Sequence, residues 1–111
     1  MESRKDIFFN LFFFVIQIKK INYMATIGNV LISYDVDKLH TQVKSEMEKL
    51  SYYANFTLVG DPKTYYLPNT SLWHKTKSSK EAINDLKKIC TKLGVKLEKA
   101  VSVRASEFEG I

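Results

Sequence analysis

The segment that most constrains the fold is a short apolar run ending in a carboxylate, VLISYD at residues 30–35. Apolar, β-branched and aromatic residues without polar alternation predict a strand that is buried on both faces in the middle of a sheet. Asp35 ends this run, where the chain leaves the core and meets water, and open α/β sheets often hold their chemistry there. We therefore expect the downstream elements to cover this strand and to frame Asp35.

A helix is predicted directly after this strand. Asp37 is its predicted N-cap, because an Asp side chain can accept a free backbone N–H at a helix start. The predicted apolar stripe repeats at spacings of four, four and three residues. It consists of Leu39, Val43, Met47 and Leu50.

Two strands are predicted between this helix and the next one, at residues 55–59 and 70–76. A Gly-Asp-Pro turn follows the first strand. Residues 64–67 after this turn either extend a hairpin or, because Pro68 removes a backbone donor, form an edge or a bend. Alternation along the strand at 70–76 places Leu72 and His74 on one face.

A second helix is predicted from capping-box spacing and apolar periodicity. Ser78 and Glu81 have the spacing of a capping box, and Gly94 can supply the left-handed residue that closes a helix. The predicted core face consists of Ala82, Ile83, Leu86, Ile89, Cys90 and Leu93.

The last predicted strand has an inward face with one irregularity. Val95, Leu97, Val101 and Val103 alternate with polar residues and are predicted to face the core. Lys99 interrupts the alternation, which indicates a bulge or the rim of the sheet.

This order predicts one α+β domain over residues 24–111. Strand, helix, strand, strand, helix, strand is the ferredoxin-like βαββαβ order, with four antiparallel strands and two helices on one face. The other face of such a sheet needs a cover, and a second copy of the chain is the simplest one.

Residues 1–23 differ from the rest of the chain. An apolar run, IFFNLFFFVIQI at residues 7–18, is flanked by basic residues. It is shorter than the roughly 20 apolar residues of a membrane span, and no signal-peptide cleavage motif follows it. We interpret the segment as upstream sequence preceding a start at Met24. The alternative is a weak membrane anchor, and a membrane partner is expected only in that case.

Composition excludes several classes of function. A single cysteine, Cys90, excludes an internal disulfide and two-cysteine metal motifs, and its place on a helix face predicts a buried thiol. There is no glycine-rich phosphate loop, nucleophile elbow or zinc motif, and no small-molecule cofactor is expected. The net charge of +5 permits nucleic-acid binding. We expect a cytoplasmic protein.

The residues LISYD at 31–35, opening a βαββαβ chain, resemble the CRISPR-associated Cas-two superfamily and its stand-alone relatives, which include virulence-associated protein D. Similar segments are TSLWHKT at 70–76, AVSV at 100–103 and the closing EFEGI at 107–111. The chain lacks the arginines of the CRISPR proteins' first helix and their Ser-Val-Phe-Glu strand motif. A stand-alone relative is therefore the better match.

The resemblance implies a homodimer in which Asp35 of each subunit approaches its symmetry mate. In nuclease members of the superfamily this pair helps to hold a divalent metal, with RNA or DNA as the substrate. Two facing carboxylates repel unless a cation or a shared proton lies between them, and Mg²⁺ binds one or two carboxylates together with substrate phosphates. Asp35 is accordingly the predicted catalytic and metal-binding residue.

Four neighbouring residues are the predicted nucleic-acid contacts: Trp73, His74, Lys75 and Lys77. Aromatic rings can stack on bases, and lysines before a helix start can be offset by a phosphate. The alternatives are a buried hydrogen-bonded histidine, a solvated lysine loop, and aromatics that cover an interface or a sheet face. The aromatic candidates are Tyr52, Tyr53, Tyr65, Tyr66 and Trp73.

The sequence thus predicts a nucleic-acid-binding homodimer of the Cas-two type, with a magnesium-dependent endoribonuclease activity as one form of that function. Enzymatic activity itself is left open. The alternative is a non-catalytic interaction or scaffold module of the same fold.

Overall fold

The computed structural model describes residues 27–111, and the predictions for residues 1–23 lie outside this range. The described residues form a small α+β domain with two helices and antiparallel sheets. In chain order the elements are β1 (Gly28–Val36), α1 (His40–Lys49), β2 (Asn55–Thr57), β3 (Thr64–Tyr66), β4 (Ser71–Lys77), α2 (Ser79–Leu93) and β5 (Leu97–Arg104).

Strand β1 is the centre of the main sheet, as predicted. It pairs antiparallel with β4 on one side and β5 on the other, in the order β4-β1-β5. The prediction that it is buried on both faces is wrong. Val30 and Ile32 are fully buried under the helices, whereas Asp35 is exposed on the opposite face. The two helices cover one face of the sheet, which we call the helix face, and the other is here called the open face.

Within residues 27–111 the main sheet has three strands, and not the four that were expected. Strands β2 and β3 pair with each other as a separate hairpin. Tyr53, just before β2, forms an isolated bridge to Trp73 of β4. The contact ends there because β2 turns to pair with β3, while the Trp73 indole N–H donates to the carbonyl oxygen of Asn55 at 2.6 Å.

Helix α1 begins later than predicted, and Asp37 is not its N-cap. The N-cap position is occupied by Leu39 in the left-handed conformation, with φ 56° and no side-chain cap. The Asp37 carboxylate instead accepts a hydrogen bond from the amide of Lys96 at 2.9 Å. Asp37 therefore ties the end of β1 to the segment before β5. Val43 and Met47 of the predicted stripe are fully buried.

Helix α2 has the predicted ends and the predicted core face. The Ser78 hydroxyl accepts from the Glu81 amide at 3.1 Å, and the Glu81 carboxylate accepts from the Ser78 amide at 2.9 Å. Gly94 closes the helix with φ 67°, a conformation that costs glycine little because it has no Cβ. The buried residues of the helix are Ala82, Leu86, Ile89 and Cys90.

Strand β5 contains a β-bulge that reverses the predicted faces. Asp35 pairs with Lys99 and Val36 pairs with Leu97, so Glu98 is the extra residue. The irregularity predicted at Lys99 is therefore present. The predicted inward orientation of Val101 and Val103 is wrong: they are 59% and 49% exposed, because an extra residue exchanges the two faces of a strand.

Within residues 27–111, no helix is both long and apolar enough to cross a membrane.

Candidate functional site

The structure places the predicted site residues at three separate positions. Asp35 is at the first, Trp73 and Lys75 are at the second, and His74 and Lys77 are at the third. Trp73 lies opposite Leu31 on the open face. Asp35 lies on the same face but four residues further along β1, which is about 13 Å at roughly 3.3 Å per residue. Lys75 lies in the opposite direction from Trp73. Asp35 and the predicted nucleic-acid contacts therefore do not form one cluster.

His74 points to the helix face and is only 7% exposed. Its Nδ1 accepts a hydrogen bond from the Thr76 amide at 3.0 Å, and its Nε2 lies 3.1 Å from the carbonyl oxygen of Leu50. Since Nδ1 is an acceptor, Nε2 holds the proton and donates it to Leu50 in the neutral ring. Burial is the main cause that lowers the pKa of His74, and the positive charge of Lys77 lowers it further. His74 is thus a hydrogen-bonded core residue, which was the alternative interpretation.

Lys77 belongs to a polar cluster with Asp85 and Tyr52 at the end of β4. Its ammonium group lies 3.0 Å from the Asp85 carboxylate, which also accepts a hydrogen bond from the Tyr52 hydroxyl at 2.8 Å. Burial and this hydrogen bond raise the pKa of Tyr52, so the phenol stays a neutral donor. The cluster joins β4, α2 and the segment after α1.

A groove on the open face is lined by aromatic side chains from four parts of the chain. We call it the aromatic groove, and it has a volume of about 410 Å³. The aromatic residues come from the segment before β2, from β2, from β4 and from the segment after β5. Its lining includes Tyr53, Asn55, Phe56, Trp73, Lys75 and Phe108.

The rings of the groove contact one another in sequence. The Trp73 ring lies 5.2 Å from Tyr53 in a tilted arrangement and 5.2 Å from Phe108 edge to face. Phe56 lies 5.0 Å from Phe108 and stacks on Tyr65 at 5.4 Å. Each such aromatic pair contributes about 0.5–1.5 kcal/mol beyond the area that it buries. This series of contacts, here called the aromatic series, fixes the planes of the five rings.

A lysine lies over a tyrosine ring at each end of this aromatic series. The Lys75 ammonium is 5.2 Å from the centre of the Tyr53 ring, and that of Lys63 is 4.9 Å from the Tyr65 ring. Both distances are within the range of cation–π attraction. The aromatic series therefore has a positive charge at each end, and Lys75 is the lysine of the two that lines the aromatic groove.

Asp61 fixes the Lys63 end of the aromatic series. Its carboxylate accepts from the Lys63 amide at 2.9 Å and from the Tyr65 hydroxyl at 2.7 Å. These two hydrogen bonds, the Lys63 amide first, lower the pKa of Asp61. The hydrogen bond from Tyr65 also raises the pKa of the tyrosine. Lys63, next to this turn, was not predicted as a site residue.

Asp35 lines a second groove on the open face. Its neighbours there are Ser33, Val101 and its cross-strand partner Lys99. Within residues 27–111 the Asp35 carboxylate makes no hydrogen bond or ion pair. No group of three or more His, Cys, Asp or Glu in that part of the chain is placed to hold a metal ion. One subunit therefore offers Asp35 as a single exposed carboxylate.

Cys90 is buried, as predicted. Burial is the main cause that raises the pKa of its thiol, and a raised pKa makes the reactive thiolate scarcer.

Sequence reasoning identified Tyr53, Tyr65 and Trp73 as possible stacking residues but missed Phe56 and Phe108. From the sequence, Phe56 is placed only in a strand and Phe108 only in the closing EFEGI segment. The one local signal was the Glu-Phe-Glu pattern of residues 107–109, which places an aromatic ring between two acids.

Comparisons of the chain with models of protein families, with curated proteins and with solved structures each found no match.

Proposed function

We propose that the aromatic groove binds single-stranded nucleic acid, RNA in preference to DNA. The observation behind this proposal is the placement of Lys75 over the Tyr53 ring, which contacts Trp73, and of Lys63 over the Tyr65 ring, which stacks on Phe56. Unpaired bases stack on aromatic side chains at about 1–3 kcal/mol per base, while basic groups contact the backbone phosphates. Duplex bases are already stacked and offer no free faces to the groove.

The proposed fold is a ferredoxin-like domain related to the stand-alone members of the Cas-two superfamily. The order β4-β1-β5, with a helix after β1 and another after β4, is compatible with three of the four strands of that fold. The Tyr53–Trp73 bridge lies on the side of β4 where the fourth strand belongs. This part of the proposal rests on strand order and on the sequence resemblance.

The proposed assembly is a cytoplasmic homodimer formed through the β5 edge and the part of the open face next to it. Val101 and Val103 are exposed there, and β5 is an edge strand of the main sheet. Exposed valines on an edge strand favour association. Asp35 lies in the same groove as Val101, so the proposed dimer brings two copies of Asp35 toward each other.

Magnesium-dependent RNA cleavage at Asp35 is the second candidate function. It is favoured by one observation, the exposed carboxylate of Asp35 next to the proposed dimer contact. A single carboxylate does not make a metal centre, so the metal would need Asp35 of both subunits or the phosphates of the substrate. Lys99 beside Asp35 opposes cation binding by its charge. We therefore rank nucleic-acid binding above cleavage.

The binding proposal is tested by measuring the affinity of the purified chain for a labelled single-stranded RNA by fluorescence anisotropy at fixed salt. We expect the double variant Lys63→Gln/Lys75→Gln to bind about tenfold more weakly than the unmodified chain, because phosphate contacts dominate such affinities. The matched control is Lys87→Gln/Lys88→Gln, which removes the same charge from an exposed part of α2. Equal losses in both variants would show that only overall charge matters.

The cleavage candidate needs a separate experiment. RNA and DNA are incubated with the chain, with and without Mg²⁺, and with Asp35→Asn and the matched control Glu48→Gln. Cleavage that requires Mg²⁺ and Asp35 but not Glu48 supports the nuclease. Binding without cleavage supports a binding protein, and neither binding nor cleavage leaves the interaction or scaffold module.

A further inference from the structure

The segment after β5 packs along the aromatic rings and forms one wall of the aromatic groove. We call residues 106–111 the tail. The amide of Ala105 donates to the carbonyl oxygen of Asn29 at 2.8 Å, and the tail then crosses the open face. The Phe108 ring inserts between Trp73 and Phe56, at 5.2 and 5.0 Å. The tail therefore contacts the same rings that we propose for base stacking.

The end of the tail packs closely on the Lys63 side of the groove. A Cβ added to Gly110 would lie 2.6 Å from Cδ1 of Tyr65 and 3.1 Å from the Phe56 ring. Only glycine allows the backbone to approach the rings so closely. The tail thus contacts the aromatic series from Trp73 to Tyr65.

The charges of the tail complement those of the groove. Glu107 lines the groove together with Lys75. Glu109 lies near Tyr65, where its charge contributes to raising the tyrosine's pKa, although the hydrogen bond to Asp61 is the largest cause. Lys63 lies over that same ring. The acids of the tail, one on each side of Phe108, therefore lie on the same sides of the aromatic series as Lys75 and Lys63.

The contacts that hold the tail are few. Within residues 27–111 the last backbone hydrogen bond to the sheet is made by Ala105. Glu107 and Glu109 are exposed and Phe108 is half-buried. A segment held by one ring, one glycine contact and solvent-exposed charges can be displaced by a ligand that makes the same contacts.

We propose that the tail is an intramolecular competitor of single-stranded nucleic acid for the aromatic groove. Phe108 takes the place of a base, and Glu107 and Glu109 take the places of the flanking phosphates. This inference rests on the proposed function of the groove. Nucleic acid binds after the tail leaves, and its apparent affinity is the intrinsic affinity multiplied by the fraction of molecules whose rings are free of the tail.

The test compares the affinities of tail variants for a fluorescein-labelled ten-residue oligouridylate. The variants are a chain ending at Ala105, Phe108→Ala, and Glu107→Gln/Glu109→Gln. If the groove is open in about one fifth of the molecules, the truncated chain and Phe108→Ala bind roughly fivefold more tightly. The matched control is Glu48→Gln/Glu98→Gln, which removes two exposed charges elsewhere. We expect its affinity to stay within about twofold of that of the unmodified chain.

A peptide with the sequence of residues 106–111 provides a test in trans. Added in excess to the truncated chain, it is expected to displace the oligouridylate, whereas a peptide with Ala in place of the phenylalanine does not. The point variants retain the full chain, and circular dichroism shows whether each variant is folded. They keep the test decisive if the truncated chain fails to fold.

The outcomes separate this inference from the proposed function. Tighter binding by the folded tail variants supports both. Equal or weaker binding by those variants, with clear binding by the unmodified chain, overturns the competition and leaves the groove as a nucleic-acid site. No binding by any folded variant overturns both.

Discussion

The indole N–H of Trp73 donates a hydrogen bond to the carbonyl oxygen of Asn55, with 2.6 Å between the two atoms. This bond joins β4 to the first residue of the β2-β3 hairpin. It also fixes the plane of the ring that Tyr53 and Phe108 contact. The main sheet and the hairpin therefore meet at one side chain, and the aromatic groove forms around it.

Replacing Trp73 with Phe tests this connection. The variant keeps an aromatic ring but loses the donor, so we expect a decrease of about 0.5–1.5 kcal/mol in the free energy of unfolding, the usual net value of one hydrogen bond. Urea unfolding followed by far-ultraviolet circular dichroism measures it, since the variant has no tryptophan. An unchanged stability would mean that the hairpin is held by the other ring contacts alone.

The environment of His74 predicts a pH dependence of stability. Its pKa is lowered in the folded state, so below the ordinary value of about 6.5 the unfolded chain binds more protons than the folded one. The contribution of His74 to stability is therefore complete above pH 6.5 and is lost as the pH falls toward its folded-state pKa. Protonation of Nδ1 also removes the acceptor of the Thr76 amide.

Urea unfolding at pH 8 and at pH 5.5 measures this effect, with His40→Gln as the matched control. His40 is exposed, so we expect the control to keep the pH dependence of the unmodified chain. The variant His74→Gln is expected to be less stable at pH 8 and to show a smaller loss between the two pH values. The same loss in all three chains would contradict the assignment to His74.

The capping box predicts the effect of a single hydroxyl on helix α2. The substitution Ser78→Ala removes the acceptor of the Glu81 amide and is expected to cost about 1 kcal/mol of stability. Ser79→Ala, one residue later, removes a hydroxyl that is not the cap and serves as the control. Thermal unfolding of the two variants side by side gives the comparison, and equal midpoints would contradict the assignment.

The exposed valines of β5 predict how the proposed dimer can be broken. The double variant Val101→Lys/Val103→Lys places two charges on the open face and is expected to make the chain monomeric, since charges on an edge strand oppose association. Light scattering after size-exclusion chromatography measures the mass. Val59→Lys, at a fully exposed position of the hairpin, is the control. A monomeric unmodified chain would contradict the dimer itself.

Helix α2 was predictable because its signals are local. The capping box at Ser78 and Glu81, the apolar period and the final Gly94 all lie within the helix or next to it. Helix α1 was less predictable, because the Asp37 carboxylate bonds to the amide of Lys96. The N-cap preference considers only residues next to the helix start, so it cannot predict a hydrogen-bond partner so distant along the chain.

The faces of β5 could not be predicted from its own sequence. Alternation indicated an inward row that included Val101 and Val103, and the bulge at Glu98 moved both to the open face. The position of the irregularity near Lys99 was evident from the sequence. Which residues of β5 face the helices depends on the register of β5 with β1, and that register is set by tertiary pairing.

The aromatic groove was predictable only in its parts. Tyr53 and Trp73 were recognised as stacking residues from their type. Phe108 joins them only because the tail crosses the open face to reach Phe56. Asp35 was correctly predicted to be accessible near the end of β1, but its distance from Lys75 follows from the antiparallel pairing of β1 and β4.

The most direct test of the central claim is a titration of Trp73 fluorescence with single-stranded RNA. Trp73 is the single tryptophan of the chain and lies in the aromatic groove, so its emission reports on that site. We expect saturable quenching, with a midpoint equal to the dissociation constant from anisotropy and a shift to weaker binding as salt is raised. Saturable anisotropy with unchanged Trp73 emission would place the nucleic acid elsewhere and contradict the account.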